Sequence, residues 1–270
     1  SDGAYGRPPR EAAAAGRKAP RPSGRSSPTP ARLATGADET MFFWNDPTFL
    51  LLIPALLLSF WAQWKVQHTY QQLSRVRASG GKTGREVALA ILNRNGLSDV
   101  GVEPVAGVLT DHYDPRVRKV RLSEMNYGGD SVAAVAVSAH EIGHVLQHAQ
   151  GYAPMQVRSA IVPVVNLASM AAFPIFLIGM FFQSGMSAFF MDLGILLFTA
   201  VLVFHLVTLP VEFNASSRAL AQLTEMGTVA PDEVRQAKKV LDAAALTYVA
   251  AAAMSALQII RLLLIRNSRD

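Results

Sequence analysis

The sequence predicts a mainly α fold, a membrane bundle of about four helical spans with a small α+β portion beside it. Three observations carry this expectation. Half of the 270 residues are apolar, and they gather into four long runs instead of spreading through a soluble pattern. One sizeable polar stretch, residues 65–158, alternates helix-like and strand-like segments. Many of the basic residues behind the net charge of +5 flank the apolar runs, where they orient a membrane protein rather than bind nucleic acid. Cysteine is absent, so disulfides and thiolate metal sites are excluded.

Residues 1–40 are rich in Ala, Pro, Arg, Ser and Gly and lack apolar periodicity, so they are expected to be disordered. The first methionine is Met41, ahead of Phe42-Phe43-Trp44. Residues 1–40 therefore read as an upstream, non-native extension, and residues 41–270 as one domain. A transit peptide is the weaker reading, because Asp2, Glu11, Asp38 and Glu39 interrupt the segment.

The first span is expected over about 48–64, with Pro54 inside it. The second covers about 161–182 and the third about 188–209. A short turn at Gln183-Ser184-Gly185 makes those two an antiparallel hairpin. The fourth covers about 245–264 and contains Arg261. Each is long enough for roughly 30 Å of hydrocarbon, the first barely so. Within 65–158, Gly84–Asn95 reads as an amphipathic helix ended by Gly96. Val100–Val105, Val108–Thr110 and Val117–Leu122 have strand-like composition, which predicts a hairpin or a three-stranded sheet. A helix from about Ser131 to Gln150 follows, ended by Gly151 and Pro154.

Segment 65–158 holds eleven Lys/Arg and segment 210–243 holds four, whereas the hairpin turn holds none. Both polar segments are therefore expected in the cytoplasm. Arg266 and Arg269 fit this orientation poorly, which leaves open a fourth span that stops short of crossing.

The chemistry lies in the helix over 131–150. His140-Glu141-Ile142-Gly143-His144 matches H-E-x-x-H. Residues four apart lie on one helix face, so His140 and His144 can reach one tetrahedral zinc ion. Glu141 lies on an adjoining face, close enough to take a proton from metal-bound water. The extended pattern with a third histidine fails, because Gln147 and Gln150 occupy its Gly and His positions. A third ligand must come from elsewhere. Glu212, just beyond the third span, is preferred, since the hairpin returns the chain to the metal helix. Asp192 would make an intramembrane site, but it lies about 26 Å along the helix from Leu209. His205 is ionisable within a span, with a hydrogen bond to a neighbouring helix as the simpler reading. His148, one turn beyond His144, is either a supporting group or a solvated side chain. Asn214, Ser216 and Arg218 are candidates to orient ligands or stabilise an oxyanion.

The stretches MFFWNDPTFLLLIPALLLSFWAQ, LTDHYDPRVRKVRLS, SVAAVAVSAHEIGHVLQHAQGYAP and LVTLPVEFNASSRAL resemble the bacterial membrane-bound neutral zinc metallopeptidases of the YugP-like family. With the spaced spans, the resemblance covers essentially all of residues 41–265. It implies a gluzincin-type zinc endopeptidase in a bacterial cell membrane, with one zinc per chain on His140, His144 and Glu212 and with Glu141 as the base. In related proteases an Asp a short helical spacing after the ligand Glu supports the site. Here Ser216 stands four residues after Glu212, so that carboxylate is missing. The DHYDP stretch, Asp111–Pro115, reads as an edge strand able to align a peptide, or simply as a turn. His112, Tyr113 and Arg218 are the oxyanion candidates.

Peptide or protein substrates and the lipid bilayer are the expected partners. The alternative is a membrane scaffold or adaptor with a structural zinc, which a closing fourth ligand such as His148 would favour. A metal transporter needs paired ionisable groups in mid-span, and Asp192, His205 and Arg261 are not paired by spacing.

Overall fold

A computed structural model describes residues 47–182 and 185–268, all within one compact unit, Pro47–Asp270. The expectations for residues 1–40 and Met41, for Gln183-Ser184 and for Arg269 lie outside the described residues.

Four of its helices are long and apolar enough to cross a membrane. A 3-10 turn, Pro47–Leu52, leads into α1, Ile53–Leu73. Pro54 sits in the first helical turn, where no backbone N–H is required, so it starts the helix instead of kinking it. Each of the long helices outruns the expected apolar run. α1 continues nine residues beyond Trp64, and its last turns bury Tyr70 and Leu73 against the polar portion.

α2, Gly84–Arg94, begins at a capping box. The Thr83 hydroxyl accepts from Glu86 N (3.3 Å) while Glu86 Oε2 accepts from Thr83 N (2.8 Å), satisfying two backbone donors that the helix leaves unpaired. Gly96, at φ 69°, ends it. Three strands follow: β1 (Gly101–Val105), β2 (His112–Asp114) and β3 (Lys119–Ser123), in the order β1-β3-β2. β1 runs parallel and β2 antiparallel to the central β3. The predicted three-stranded sheet forms, but Val108–Thr110 is no strand. Gly107 (φ 112°) and Leu109 (φ 56°) adopt left-handed backbone there, which breaks an extended run. The DHYDP stretch instead supplies the edge strand β2. Val120 and Leu122 of β3 are fully buried, whereas Lys119 and Arg121 clasp Glu103 of β1 at 2.7 and 2.8 Å.

After a short helix α3, Glu124–Gly128, comes α4, Val132–Ala149. The Ser131 hydroxyl caps it by accepting from Ala134 N at 3.1 Å. Its apolar face, including Val135, Ala139, Ile142 and Val145, fills the core beneath the sheet and α2. Gly151 (φ 64°) turns the chain, and α5, Ala153–Phe181, starts at once with Pro154 in its first turn.

α6, Met186–Glu225, is a single helix of 40 residues, about 60 Å long. α5 and α6 pack closely because two glycines permit it. A Cβ on Gly179 would lie 2.7 Å from Met191 N, and one on Gly194 would lie 2.7 Å from Phe176 Cβ. α7, Pro231–Asn267, returns along the bundle. Its far end reaches the start of α6, where Arg266 Nε donates to Asp192 Oδ1 at 2.9 Å. Arg261 meets Thr48 Oγ1 at 3.3 Å and lies over the Phe49 ring. The fourth helix therefore runs the full length of the bundle rather than stopping short. Large apolar side chains such as Phe60, Leu167, Met170 and Leu196 point outward and are more than half exposed, as suits contact with acyl chains.

Candidate metal centre

The site forms where α4 crosses the part of α6 that extends beyond the apolar run. Gly143 makes the crossing possible: a Cβ there would lie 3.0 Å from the carbonyl carbon of Ala215 and closer still to its oxygen. With the two backbones in contact, Glu212 and Ser216, on either side of Ala215, face His140 and His144. His140 Nε2 is 3.3 Å and His144 Nε2 is 3.6 Å from the same oxygen, Glu212 Oε2. The three residues offer ligand atoms within 4.8 Å of one another, enough to hold a metal ion.

The surrounding hydrogen bonds decide which nitrogens are free. The fully buried Gln147 donates from Nε2 to Val211 O (2.8 Å) and to Asn214 Oδ1 (3.0 Å). Both partners are used as acceptors, so its Oε1 faces His144 Nδ1 at 3.0 Å and accepts from it. His144 Nε2 then carries a bare lone pair. Ser216 Oγ stands 3.2 Å from His140 Nδ1 and can accept its proton in the same way. Two imidazole lone pairs and a carboxylate oxygen thus converge in a space 4% to 14% exposed. The one guanidinium paired with Glu212 among the described residues, that of Arg158, faces the other carboxylate oxygen, so acceptors gathered around Oε2 in a dry site suit a bound cation. With three nitrogen and oxygen donors and no thiolate, the set suits zinc with a position left open.

Glu141 is buried, 8% exposed, and lines the same cavity of about 230 Å³ as His140 and Glu212. Burial pushes its carboxyl above the usual range, against the pull of the two imidazoles, and the charges of Glu212 and Asp111 push the same way.

Other expected residues are engaged elsewhere. His148 Nδ1 is 2.8 Å from the Tyr113 hydroxyl, so this pair tethers β2 to α4 and His148 does not join the ligand cluster. The exposed His112 places Nδ1 2.8 Å from Thr110 O. Arg218 donates to Asn214 Oδ1 at 2.6 Å and to Gln150 Oε1, and covers the Tyr152 ring. Asn214 and Arg218 therefore extend the chain of bonds that ends on His144. Asp192 pairs with Arg266 far from the cluster. His205 lacks the expected hydrogen bond, since its Nδ1 is buried with no partner among the described residues and its ring meets Phe204 edge-on.

Sequence reasoning missed two groups. Arg158 of α5 brings Nη2 to 3.7 Å from Glu212 Oε1 and leaves Nε buried without a hydrogen-bond partner. Tyr248 of α7 lines the cavity within electrostatic reach of Glu212, Arg158 and Glu141. A single ionisable group beside an apolar run, or a tyrosine within one, gives no periodic signal that would have found either.

Comparison with known proteins identifies the family. The family profile described as "Putative neutral zinc metallopeptidase" matches residues 48–267. The "Putative membrane protease YugP" of Bacillus subtilis (strain 168) is 52% identical over 221 residues, which is 82% of this chain and 97% of that protein. No solved structure matches. With its four apolar helices and its convergent His140, His144 and Glu212, the chain belongs to this neutral zinc metallopeptidase family.

Proposed function

We propose that the chain is a membrane-embedded zinc endopeptidase with one zinc ion per chain on His140, His144 and Glu212, and with Glu141 as general base. One observation carries the reading: a buried carboxylate, Glu141, shares a cavity with the converging ligand set. Zinc bound there would supply Lewis acidity, polarising a peptide carbonyl and lowering the pKa of a water molecule. Glu141 takes the proton of the attacking water and delivers it to the departing amide nitrogen, so the peptide bond breaks with no net proton change. Its raised affinity for a proton suits both transfers. Tyr248, on the cavity wall, is the donor best placed for the charge that grows on the carbonyl oxygen, while Arg158 faces Glu212 from outside the cavity lining. Gln147 and Ser216 hold the imidazoles in the tautomer that ligation needs.

The scaffold alternative gains no support, since His148 is bonded to Tyr113 and supplies no fourth ligand. The basic residues of segments 65–158 and 210–243 favour a cytoplasmic site in a multi-pass protein of the cell membrane. The family match over 48–267 supports one peptidase domain across 41–270, with residues 1–40 as an extension.

The test pairs Glu141→Gln with the wild type on an unstructured protein in detergent, with zinc measured in both. The variant should keep its zinc and lose cleavage by about 10²- to 10⁴-fold. Equal cleavage by the two proteins would end the assignment.

A further inference from the structure

The cavity at the metal centre adjoins a second cavity of about 550 Å³ along the polar end of α1, and Tyr70 and Leu109 line both. The two differ in character. Beside His140 and Glu141 the wall is largely apolar, with Val66, Val137, Val240 and Leu241, although Asp111, Thr247 and Tyr248 also line it. The second cavity is walled by Gln67, Gln71, Ser74 and Arg75. Arg75 is the one charged residue among those lining it, is exposed, and has no ion-pair partner among the described residues.

The junction is braced. Asp111, at the end of the Leu109 loop, accepts from Ser123 N at 2.7 Å and from Asn126 Nδ2 at 2.9 Å. Asn126 in turn accepts from the Tyr70 hydroxyl at 2.8 Å. One network therefore ties Tyr70 to the residue two positions beyond Leu109. Leu109 itself holds φ 56° with 38% of its surface exposed. A left-handed leucine is strained, and neither turn chemistry nor core packing at this exposed site requires a side chain there. Its side chain offers an apolar surface to both cavities.

We infer that these adjoining cavities bind substrate as an extended peptide, with an apolar side chain beside the scissile bond and an acidic residue three or four positions away against Arg75. The inference rests on the peptidase reading of the metal centre. From Val66 to Ser74 the helix rises about 12 Å, which an extended peptide spans in about four residues. The largely apolar wall at the reacting end makes it costly to bury a charged side chain there, since Asp111, the one charged group of that wall beyond the metal cluster and Glu141, already accepts from Ser123 and Asn126.

The test uses the full chain in detergent with its zinc, and short peptides with one cut site. These carry Leu or Lys beside the cut, and Glu or Lys three or four residues to either side. Leu should exceed Lys by about tenfold or more in kcat/KM. Glu should exceed Lys by about threefold, mainly through KM, and Arg75→Glu should reverse that order. Leu109→Gly should lose most of the apolar preference while its Tm holds or rises, because the backbone strain is gone. Equal cleavage of all the peptides, or a Glu preference that survives Arg75→Glu, overturns the inference. A Leu109→Gly protein that melts lower and keeps the preference removes Leu109 from it. If the zinc-loaded wild type cuts none of the peptides and no unstructured protein either, the peptidase reading fails first and the inference goes with it.

Discussion

Asp192 in the first half of α6 and Glu212 in the second are both carboxylates, and only Glu212 stands among metal-binding groups. Asp192, in the first half, has a side chain 55% exposed and paired with Arg266 at 2.9 Å. Glu212, twenty residues further on, is 5% exposed and faces two imidazoles, with Arg158 at 3.7 Å behind it. Their separation along the axis is about 30 Å. An exposed ion pair needs nothing more, whereas the Glu212 oxygen turned away from Arg158 faces bare nitrogen lone pairs and calls for a further cation on that side. The lesson concerns how a ligand is recognised in such a chain. A carboxylate inside an apolar run attracts attention, but convergence of buried acceptors is what marks a candidate site.

The sharpest way to break this contrast is to remove the convergence. Glu212→Ala should weaken zinc binding by more than about a hundredfold, beyond the loss expected when a supporting group is removed. Gly143→Val should do comparable damage without touching a ligand, because its side chain would push α4 away from the Ala215 carbonyl. Metal content after dialysis, together with helicity by circular dichroism, checks both. Full zinc retention in Glu212→Ala would return the third ligand to the list of open questions and dissolve the contrast between the two carboxylates.

Much of this was legible in the sequence. The four spans, the helix over 84–95, the three-stranded sheet and the metal helix were all expected, and H-E-x-x-H placed His140, Glu141 and His144 together. Span lengths were not legible. The apolar runs mark where a helix meets hydrocarbon, while α1, α5, α6 and α7 continue as helices into the polar portion, where packing rather than hydropathy sustains them. Arg266, which with Arg269 left open a short fourth span, and Arg261 take Asp192, Thr48 and Phe49 as partners, contacts that join residues over 70 positions apart and leave no local pattern. Ser216 looked like a missing carboxylate, and Gln147 like a failed histidine motif. Each proves to face an imidazole of the candidate metal cluster, which a motif built on other families cannot reveal.

A finer comparison sets those two supports against each other. Gln147 fixes His144 through a fully buried network, so Gln147→Ala strands the His144 N–H and the Val211 carbonyl, at a cost of about 1–3 kcal/mol each. Ser216 is a smaller prop for His140. Zinc affinity should fall about 100-fold in Gln147→Ala and about 10-fold in Ser216→Ala, the ends of the range for such partners. Competition with a chromogenic chelator measures both. Equal losses would mean that the two imidazoles are held equally firmly, and that the buried glutamine adds nothing over a hydroxyl.

The smallest effect belongs to the other end of α6. Asp192→Asn removes a charge from an exposed pair, and such pairs contribute about 0.2–1 kcal/mol. Asparagine keeps an oxygen that can accept from Arg266, so part of that contribution survives. The variant should melt within a few degrees of the wild type, with zinc content and cleavage unchanged, because about 30 Å of helix separates it from Glu212. A thermal-shift measurement beside a zinc assay decides the matter. Zinc loss on Asp192→Asn would mean that this carboxylate senses the metal after all. The contrast between the halves of α6 would then have to be drawn from something other than distance and burial.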